Sequence, residues 1–200
     1  QYDWYRNLLP FNNFLKFRAS WGRVGNDRLK DENGNDIRFP YLTTLGNVSS
    51  TWGTGLAENR TGSMNLKWEV STKTNFGIDA RFFDDKVDMT VDFFHTKTTD
   101  IFQRRANIPD EGGLSNVLPY ANIGSMKSWG MDGTLAYTHT FNKDMALTVR
   151  GNFTHAENEV IYWEQSGVNY PYQSNSGVPY KVQRGLIALG LFKDEDDIKS

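Results

Sequence analysis

Histidines and paired carboxylates are the side chains in this sequence whose type could support catalysis. The histidines are His95, His139 and His155. None has a partner at the close spacing of a zinc-binding helix. The chain also contains no Cys, which removes thiolate zinc sites and cysteine nucleophiles. We therefore expect no catalytic residue, no metal site and no cofactor built on these groups.

Two acidic runs need separate consideration. Asp84 and Asp85 are adjacent, but they lie in a predicted turn, whereas a glycosidase needs two carboxylates that face each other across a cleft. The run Asp194–Asp197 offers oxygen ligands for calcium, yet it lacks the regular spacing of a calcium loop and is more typical of a solvated helix start. The sequence thus predicts that the protein is not an enzyme.

Aromatic side chains in polar, Gly-rich segments are a better indication of function. Aromatic residues make up 14% of the chain. Their rings could stack on sugars or anchor a partner protein, although loop aromatics often pack only against their own loop. The candidate ligand-binding residues are Tyr41, Trp52, Tyr120, Trp163, Tyr170 and Tyr172, with Tyr180 beside them.

Charge and hydropathy restrict the possible partners. The 22 basic and 24 acidic residues are scattered along the chain and give a net charge of -2, so no basic stripe suited to a phosphate backbone is present and we expect no nucleic acid partner. A transmembrane helix needs roughly 20 consecutive apolar residues, which the sequence lacks. If this protein crosses a membrane, it crosses as strands.

Several segments alternate apolar and polar residues with period two, as strands with one apolar face do. Leu15 and Phe17, for example, alternate with Lys16 and Arg18. The alternation predicts long strands near residues 14–22, 67–83, 86–101, 121–140 and 145–161. A soluble sandwich would show the same alternation, so the pattern alone predicts an all-β antiparallel protein and leaves its surroundings open.

The connections between these strands are of two kinds. The turns near Asp84 and Asn142 are only a few residues long, whereas the links at about 23–66, 102–120 and from 162 onward are long and rich in Gly, Asn and Ser. A compact soluble domain rarely contains such long unstructured loops. An outer-membrane barrel has short turns at one end and long loops at the other.

Particular sequence strings carry a family resemblance. They are Leu15–Gly22, Asn65–Glu69, Thr74–Asp79, Phe82–Lys86, Thr98–Ile101, Asn122–Ser125 and Trp129–Asp132. In order and spacing these strings resemble the C-terminal barrel of the SusC/RagA family of TonB-linked outer-membrane transporters. The resemblance extends from about Phe11 to Ser200 and weakens in the loops.

The resemblance implies a fold and a location. It implies a long antiparallel meander of five or six strands, part of a barrel of about 22 strands with long extracellular loops, in the outer membrane of a bacterium of the Bacteroides kind. Residues 1–200 would then be a partial barrel domain. The sequence departs from the family pattern in lacking a TonB box, a plug domain and a closing aromatic strand, so we expect an excerpt of a longer protein.

The resemblance also implies a function and partners. The function is import of oligosaccharides or peptides, with membrane lipid, a SusD-like lipoprotein and the TonB complex as partners, the last through an N-terminal part absent from this sequence. The alternative is a soluble antiparallel carbohydrate-binding module that uses the same aromatics. In a barrel, polar strand residues would line the lumen. The lumen-lining candidates are Lys16, Arg18, Asp79, Arg81, Asp88, Asp92, Asp132 and Arg150.

Overall fold

The alternating segments form long β-strands in the computed structural model of the protein. The structure describes residues 12–30, 34–51, 53–109, 117–185, 187 and 190. The strands are β1 (Asn12–Asn26), β2 (Thr44–Ser50), β3 (Gly53–Arg60), β4 (Glu69–Phe82), β5 (Val87–Arg104), β6 (Tyr120–Asn142) and β7 (Met145–Tyr162), and a short 3-10 helix follows at Pro171–Gln173. Trp52 and the acidic run Asp194–Asp197 lie outside the described residues.

The long strands form one five-stranded sheet with the order β1-β4-β5-β6-β7. Each neighbouring pair is antiparallel, so the chain is a meander interrupted only between β1 and β4. The prediction of an all-β antiparallel meander is confirmed. Its strands run further than expected away from the short turns, since β1 continues to Asn26 and β5 to Arg104.

The sequence predicted a plain loop for the long link between β1 and β4, and this prediction was wrong. The link contains a two-stranded antiparallel sheet formed by β2 and β3. The sequence signal was weak because these strands contain Gly, Asn and Ser, which have low β propensity.

One face of the five-stranded sheet is apolar and uncovered. Cross-strand pairs such as Phe17 with Ile78 and Met89 with Leu135 place the apolar positions on this face. The large side chains exposed there include Phe17, Trp21, Phe76, Phe93, Met131, Leu135, Tyr137, Leu147, Val149 and Phe153. Among the described residues, the buried apolar side chains are limited to Ala80, Phe102, Ala136 and Val160. In the described part of the chain the sheet is therefore a single layer, with no second layer over its apolar face.

Two tight turns join strands at one end of the sheet. Residues 83–86 connect β4 to β5, and residues 143–144 connect β6 to β7. Phe83, Asp84 and Asp85 have φ values of 57°, 55° and 62°. Asp tolerates the left-handed region better than most residues, which suits the acidic sequence of this turn.

The opposite end of the sheet is irregular. The β5–β6 register shifts between Thr98 and Phe102, and Asp100 has a φ of 56°. Side chains satisfy the backbone groups that the irregularity frees, because Asn122 Nδ2 donates to the Asp100 carbonyl at 2.8 Å and Glu69 Oε1 accepts from the Phe102 N–H at 3.1 Å. We call this the loop end.

None of the helical residues that the structure describes forms a segment long and apolar enough to cross a membrane.

A charge placed on the apolar face tests whether that face requires an apolar medium. Leu135 is 52% exposed on the apolar face, whereas Thr134, the preceding residue, lies on the opposite face and its Oγ1 donates to Asn152 Oδ1 at 2.9 Å. An Arg on the lipid face of a membrane strand costs about 2–4 kcal/mol near the bilayer midplane. We expect Leu135→Arg to lower the free energy of unfolding by that amount in lipid vesicles, measured by denaturant titration, and Thr134→Arg to lower it far less. Equal effects of the two changes would contradict a lipid-facing role.

Candidate functional site

The polar face of the sheet contains all of the lumen-lining candidates. The register pairs Lys16 with Asp79, Arg81 with Asp88, and Asp92 with Asp132. Because directly opposed residues share a face and strand residues alternate, these residues lie together with Arg18 and Arg150 on the face opposite Leu135. The strand ladder thus places these polar side chains on one surface.

An ion-pair cluster joins three neighbouring strands on this polar face. Arg18 of β1 donates from Nε and Nη2 to the two oxygens of Asp79 on β4, at 2.9 and 3.0 Å. Its Nη2 also donates to Asp92 of β5 at 2.9 Å. The bidentate contact with Asp79 depends on the planar guanidinium group, which Lys lacks. Arg18 therefore ties β1 to β4 and β5 through side chains as well as backbone.

Gly77 makes this cluster possible. A Cβ atom at this position would lie 2.7 Å from Cζ and Nη2 of Arg18 and would collide with the Asp92 carboxylate. The guanidinium therefore crosses β4 directly above the backbone of Gly77. The cluster lies in an open cavity of about 510 Å³, whose lining also includes Asn75 and Asp132.

The remaining polar candidates are less constrained. Arg81 Nε lies 3.5 Å from Asp88 Oδ2, with both side chains about half exposed, and its Cζ lies 5.4 Å from the ring centroid of Phe14. An exposed pair at this distance contributes little to stability. The Arg81–Asp88 pair therefore constrains the polar face less than the Arg18 cluster does.

The loop aromatics fall into separate groups. Tyr41 contacts Phe39 edge-on with centroids 6.2 Å apart, and Tyr170 stacks on Tyr172 at 5.5 Å. Tyr41, Tyr170 and Tyr172 were predicted as ligand-binding candidates, but their rings pack in pairs within their own loops. Trp52, another ligand-binding candidate, lies outside the described residues.

Tyr120 and Trp163 are brought together at the loop end, with Tyr180. Tyr120 stacks on Phe102 with centroids 4.8 Å apart and planes 7° from parallel. Trp163 lies against Tyr180 at 6.0 Å. They line a cavity of about 620 Å³, which we call the loop-end cavity. Its described lining residues are Lys30, Gly34, Ile101, Phe102, Gln103, Arg104, Tyr120, Met126, Trp163, Tyr180 and Lys181.

A buried carboxylate beside this cavity fastens two loops together. Glu164, which follows β7 and is 7% exposed, accepts from the backbone N–H groups of Ala106 at 2.7 Å and Asn107 at 2.8 Å. Both of its oxygens accept from Arg105 Nε at 3.0 Å. The Glu164 carbonyl accepts from Gln103 Nε2 at 3.4 Å. The segment after β5 is therefore held against the segment after β7.

The pKa of Glu164 reflects this environment. Burial raises the pKa, but the N–H donors of Asn107 and Ala106, together with the Arg105 guanidinium, outweigh burial and hold the pKa below its ordinary value of 4.5. The carboxylate is therefore charged at neutral pH and acts as an acceptor. Sequence reasoning missed Glu164, because a Glu in a polar, Gly-rich segment normally indicates a solvated loop.

Removing the Glu164 carboxylate tests the loop contact. Glu164→Ala leaves the partly buried N–H groups of Ala106 and Asn107 without their acceptor, which costs about 1–3 kcal/mol of local stability. We expect amide hydrogen exchange at Ala106 and Asn107 to become about 5- to 150-fold faster, as measured by mass spectrometry. Glu157→Ala is the matched control, because Glu157 is half exposed and pairs with His155 within the same strand. Unchanged exchange in Glu164→Ala would rule out the loop contact.

Acid should release the same contact. A carboxyl whose pKa is lower in the folded than in the unfolded chain contributes stability that is complete above the unfolded pKa and is lost as the pH falls through the folded pKa. Because the pKa of Glu164 lies below 4.5, we expect protection of Ala106 and Asn107 to be constant above about pH 5 and to fall below about pH 4. Hydrogen exchange corrected for its intrinsic pH dependence measures this, and Glu164→Ala should show no such step.

Known proteins with similar sequences are TonB-dependent receptors by name. The family model described as "TonB dependent receptor-like, beta-barrel" matches residues 2–185. TonB-dependent receptor P39 of Formosa agariphila is 34% identical over 153 residues, which is 76% of this chain and 14% of that receptor. TonB-dependent receptor SusC of Bacteroides thetaiotaomicron is 27% identical over 151 residues, with 73% and 14% covered. The chain thus spans about 14% of the length of these relatives.

Solved structures give the same result. The RagAB peptide importer in its closed-closed state superposes with a TM-score of 0.63 at 26% identity, covering 87% of this chain and 19% of that chain. Its open-open state gives 0.60 at 28% identity, with 76% and 16% covered. These matches confirm the resemblance to the SusC/RagA family. The chain belongs to the TonB-dependent receptor-like β-barrel family.

Proposed function

We propose that this chain forms part of the barrel wall of a TonB-dependent outer-membrane importer. The observation that carries the proposal is the two-faced single sheet. Leu135 and Phe153 are about half exposed on one face, while Arg18, Asp79 and Asp92 form charge-assisted bonds on the other. A barrel resolves this contrast by placing the apolar face against lipid and the polar face against a water-filled lumen.

The proposed orientation follows from the connections. Outer-membrane barrels have short turns on the periplasmic side and longer loops outside. The turns at residues 83–86 and 143–144 would therefore face the periplasm. The loop end, with the β2–β3 hairpin and the loop-end cavity, would face the exterior. The sheet edges at β1 and β7 would pair with further strands of the barrel.

The proposed cargo is an oligosaccharide or a peptide, and no reaction on it is catalysed. The RagAB neighbours are described as a peptide importer, which supports a peptide. The exposed stack of Tyr170 and Tyr172 and the rings at the loop end offer flat apolar surfaces, which suit either a sugar face or an apolar side chain. The polar face would line the path of the cargo.

The proposed partners belong to the whole receptor. They are outer-membrane lipid on the apolar face, a SusD-like lipoprotein on the exterior, and the TonB complex, which would supply energy through an N-terminal part of the receptor. The family resemblance supports each of these. The exposed loop side chains Leu45 and Leu56, 64% and 74% exposed on the β2–β3 hairpin, are the proposed lipoprotein contact.

A soluble carbohydrate-binding module remains the alternative, and the sheet argues against it. Such modules cover one sheet face with a second sheet and bury a core between them. In the described residues, Phe17 and Trp21 of the apolar face are 62% and 69% exposed. A soluble protein rarely leaves so large an apolar surface open.

Thiol labelling in intact cells tests the orientation. The chain has no Cys, so single cysteines report their own position in a receptor cleared of other reactive thiols. Ser49→Cys lies on the exposed hairpin, and Lys86→Cys and Lys143→Cys lie in the short turns. We expect a membrane-impermeant maleimide to label Ser49→Cys in intact cells, and to label the two turn positions at least tenfold more after the outer membrane is opened.

Two outcomes would contradict the proposal. One is labelling of the turn positions in intact cells to the same extent as Ser49→Cys. The other is recovery of the receptor in the soluble fraction, which would favour the carbohydrate-binding module. Western blotting of membrane fractions controls for expression of each variant.

A further inference from the structure

The loop-end cavity presents flat apolar surfaces from three separate segments. Phe102 and Tyr120 stack almost parallel where β5 ends and β6 begins, and Trp163 and Tyr180 come from the chain after β7. Ring faces of this kind bind the apolar face of a sugar or an aromatic side chain. At about 620 Å³, the cavity falls in the range of small-molecule sites.

The charged residues among the described lining of the cavity are all cationic. They are Lys30, Arg104 and Lys181. Lys181 has its ammonium 5.4 Å from the ring centroid of Tyr180, so a positive charge lies directly beside an aromatic face. A ligand that combined an anionic group with a flat apolar face would contact both.

Two carboxylates near the cavity are already paired with their own arginines. Asp36 lies across an isolated β-bridge from Lys30, but its oxygens accept from Arg28 Nε and Nη2, both at 2.9 Å. Glu164 accepts from Arg105 and from two backbone N–H groups. These pairs hold the carboxylates in place and limit their interaction with the lining lysines.

A polar group in the wall adds a hydrogen-bonding feature. Gln103 lines the cavity and is 5% exposed. Its Oε1 is buried and has no hydrogen-bond partner among the described residues. A buried acceptor without a partner is costly. A ligand hydroxyl or N–H group that reached Oε1 would remove that cost, while Nε2 stays bonded to the Glu164 carbonyl.

We propose that the loop-end cavity binds a carboxylate-bearing ligand, with the carboxylate at Lys181 and a flat apolar face of the ligand on Trp163 and Tyr180. This proposal rests on the proposed import function and names the chemistry of its cargo. Two sources supply that chemistry, namely a uronic acid residue of an oligosaccharide and the C-terminal carboxylate of a peptide that ends in an aromatic residue.

Binding of matched probes to the complete receptor in detergent tests the proposal. The saccharide probes are a galacturonic acid trisaccharide and its neutral methyl ester. The peptide probes are a short peptide ending in tyrosine with a free C-terminal carboxylate and the same peptide as an amide. We expect at least one acid to bind about tenfold more tightly than its neutral counterpart, measured by calorimetry, and its affinity to fall as salt is raised.

Variants locate the interaction. Lys181→Gln should weaken binding of the acid probe about tenfold and leave the neutral probe unchanged, whereas Lys181→Arg should retain acid binding. Trp163→Ala should weaken both members of the pair. Lys127→Gln is the matched control, because Lys127 also lies over an aromatic ring, 5.3 Å from the Trp129 centroid, but is paired with Glu159 at 3.0 Å on the sheet.

Each outcome decides the proposal. Preference for the uronic acid trisaccharide or for the free-acid peptide, lost in Lys181→Gln, supports it and identifies the source of the carboxylate. Equal binding of acid and neutral probes, no binding of either acid, or full acid binding by Lys181→Gln overturns it. The thiol-labelling pattern would stand in those cases, whereas a wrong labelling pattern would refute the import function whichever probe binds.

Discussion

The separation of the sheet into two faces depends on the register of its antiparallel strand pairs. Strand side chains alternate, so a slip of one residue in any pair would move a whole strand of polar side chains to the apolar face. In the observed register, Lys16 lies opposite Asp79 and Asp92 lies opposite Asp132. The tight turns at residues 83–86 and 143–144 fix this register at one end, since the length of a hairpin turn sets the pairing of its strands. The Arg18 cluster reinforces it across β1, β4 and β5.

At the loop end, regular backbone pairing between the strands stops. Side-chain hydrogen bonds to the backbone replace it there. Asn122 and Glu69 satisfy backbone groups freed by the irregularity around Asp100. Glu164 satisfies two more in the segment after β5. Buried backbone N–H groups almost always have a partner, so each break in the ladder requires a polar side chain nearby. The loop-end cavity lies among these contacts, with walls fixed by hydrogen bonds between segments distant in sequence.

The sequence predicted the parts of this structure that local periodicity controls. Alternation at Leu15 to Arg18 assigns side chains to faces without knowledge of the fold, and the same holds for the other lumen-lining candidates. It could not predict that Arg18 reaches both Asp79 and Asp92, because that depends on register between strands and on the open space above Gly77.

The loop aromatics show the same limit at the loop end. Tyr120 and Trp163 meet at one cavity, whereas Tyr170 and Tyr172 stack on each other elsewhere. Distances between loops do not follow from composition. The β2–β3 hairpin was missed because Gly, Asn and Ser are poor indicators of strands. Glu164 was missed because its burial arises from a segment more than 50 residues away.

The two charged regions differ in how firmly their cations are already paired, which bears on where the proposed importer would select its cargo. On the polar face, the guanidinium of Arg18 is already bonded to both Asp79 and Asp92, so a passing anion would have to compete with two carboxylates held at hydrogen-bond distance. At the loop end, Lys181 lies over the ring of Tyr180, a weaker interaction than a charge-assisted hydrogen bond. An anionic group would displace less at Lys181 than at Arg18. In the proposed importer the strands would therefore supply a stable wall, and the side chains that distinguish one cargo from another would lie where the strands end.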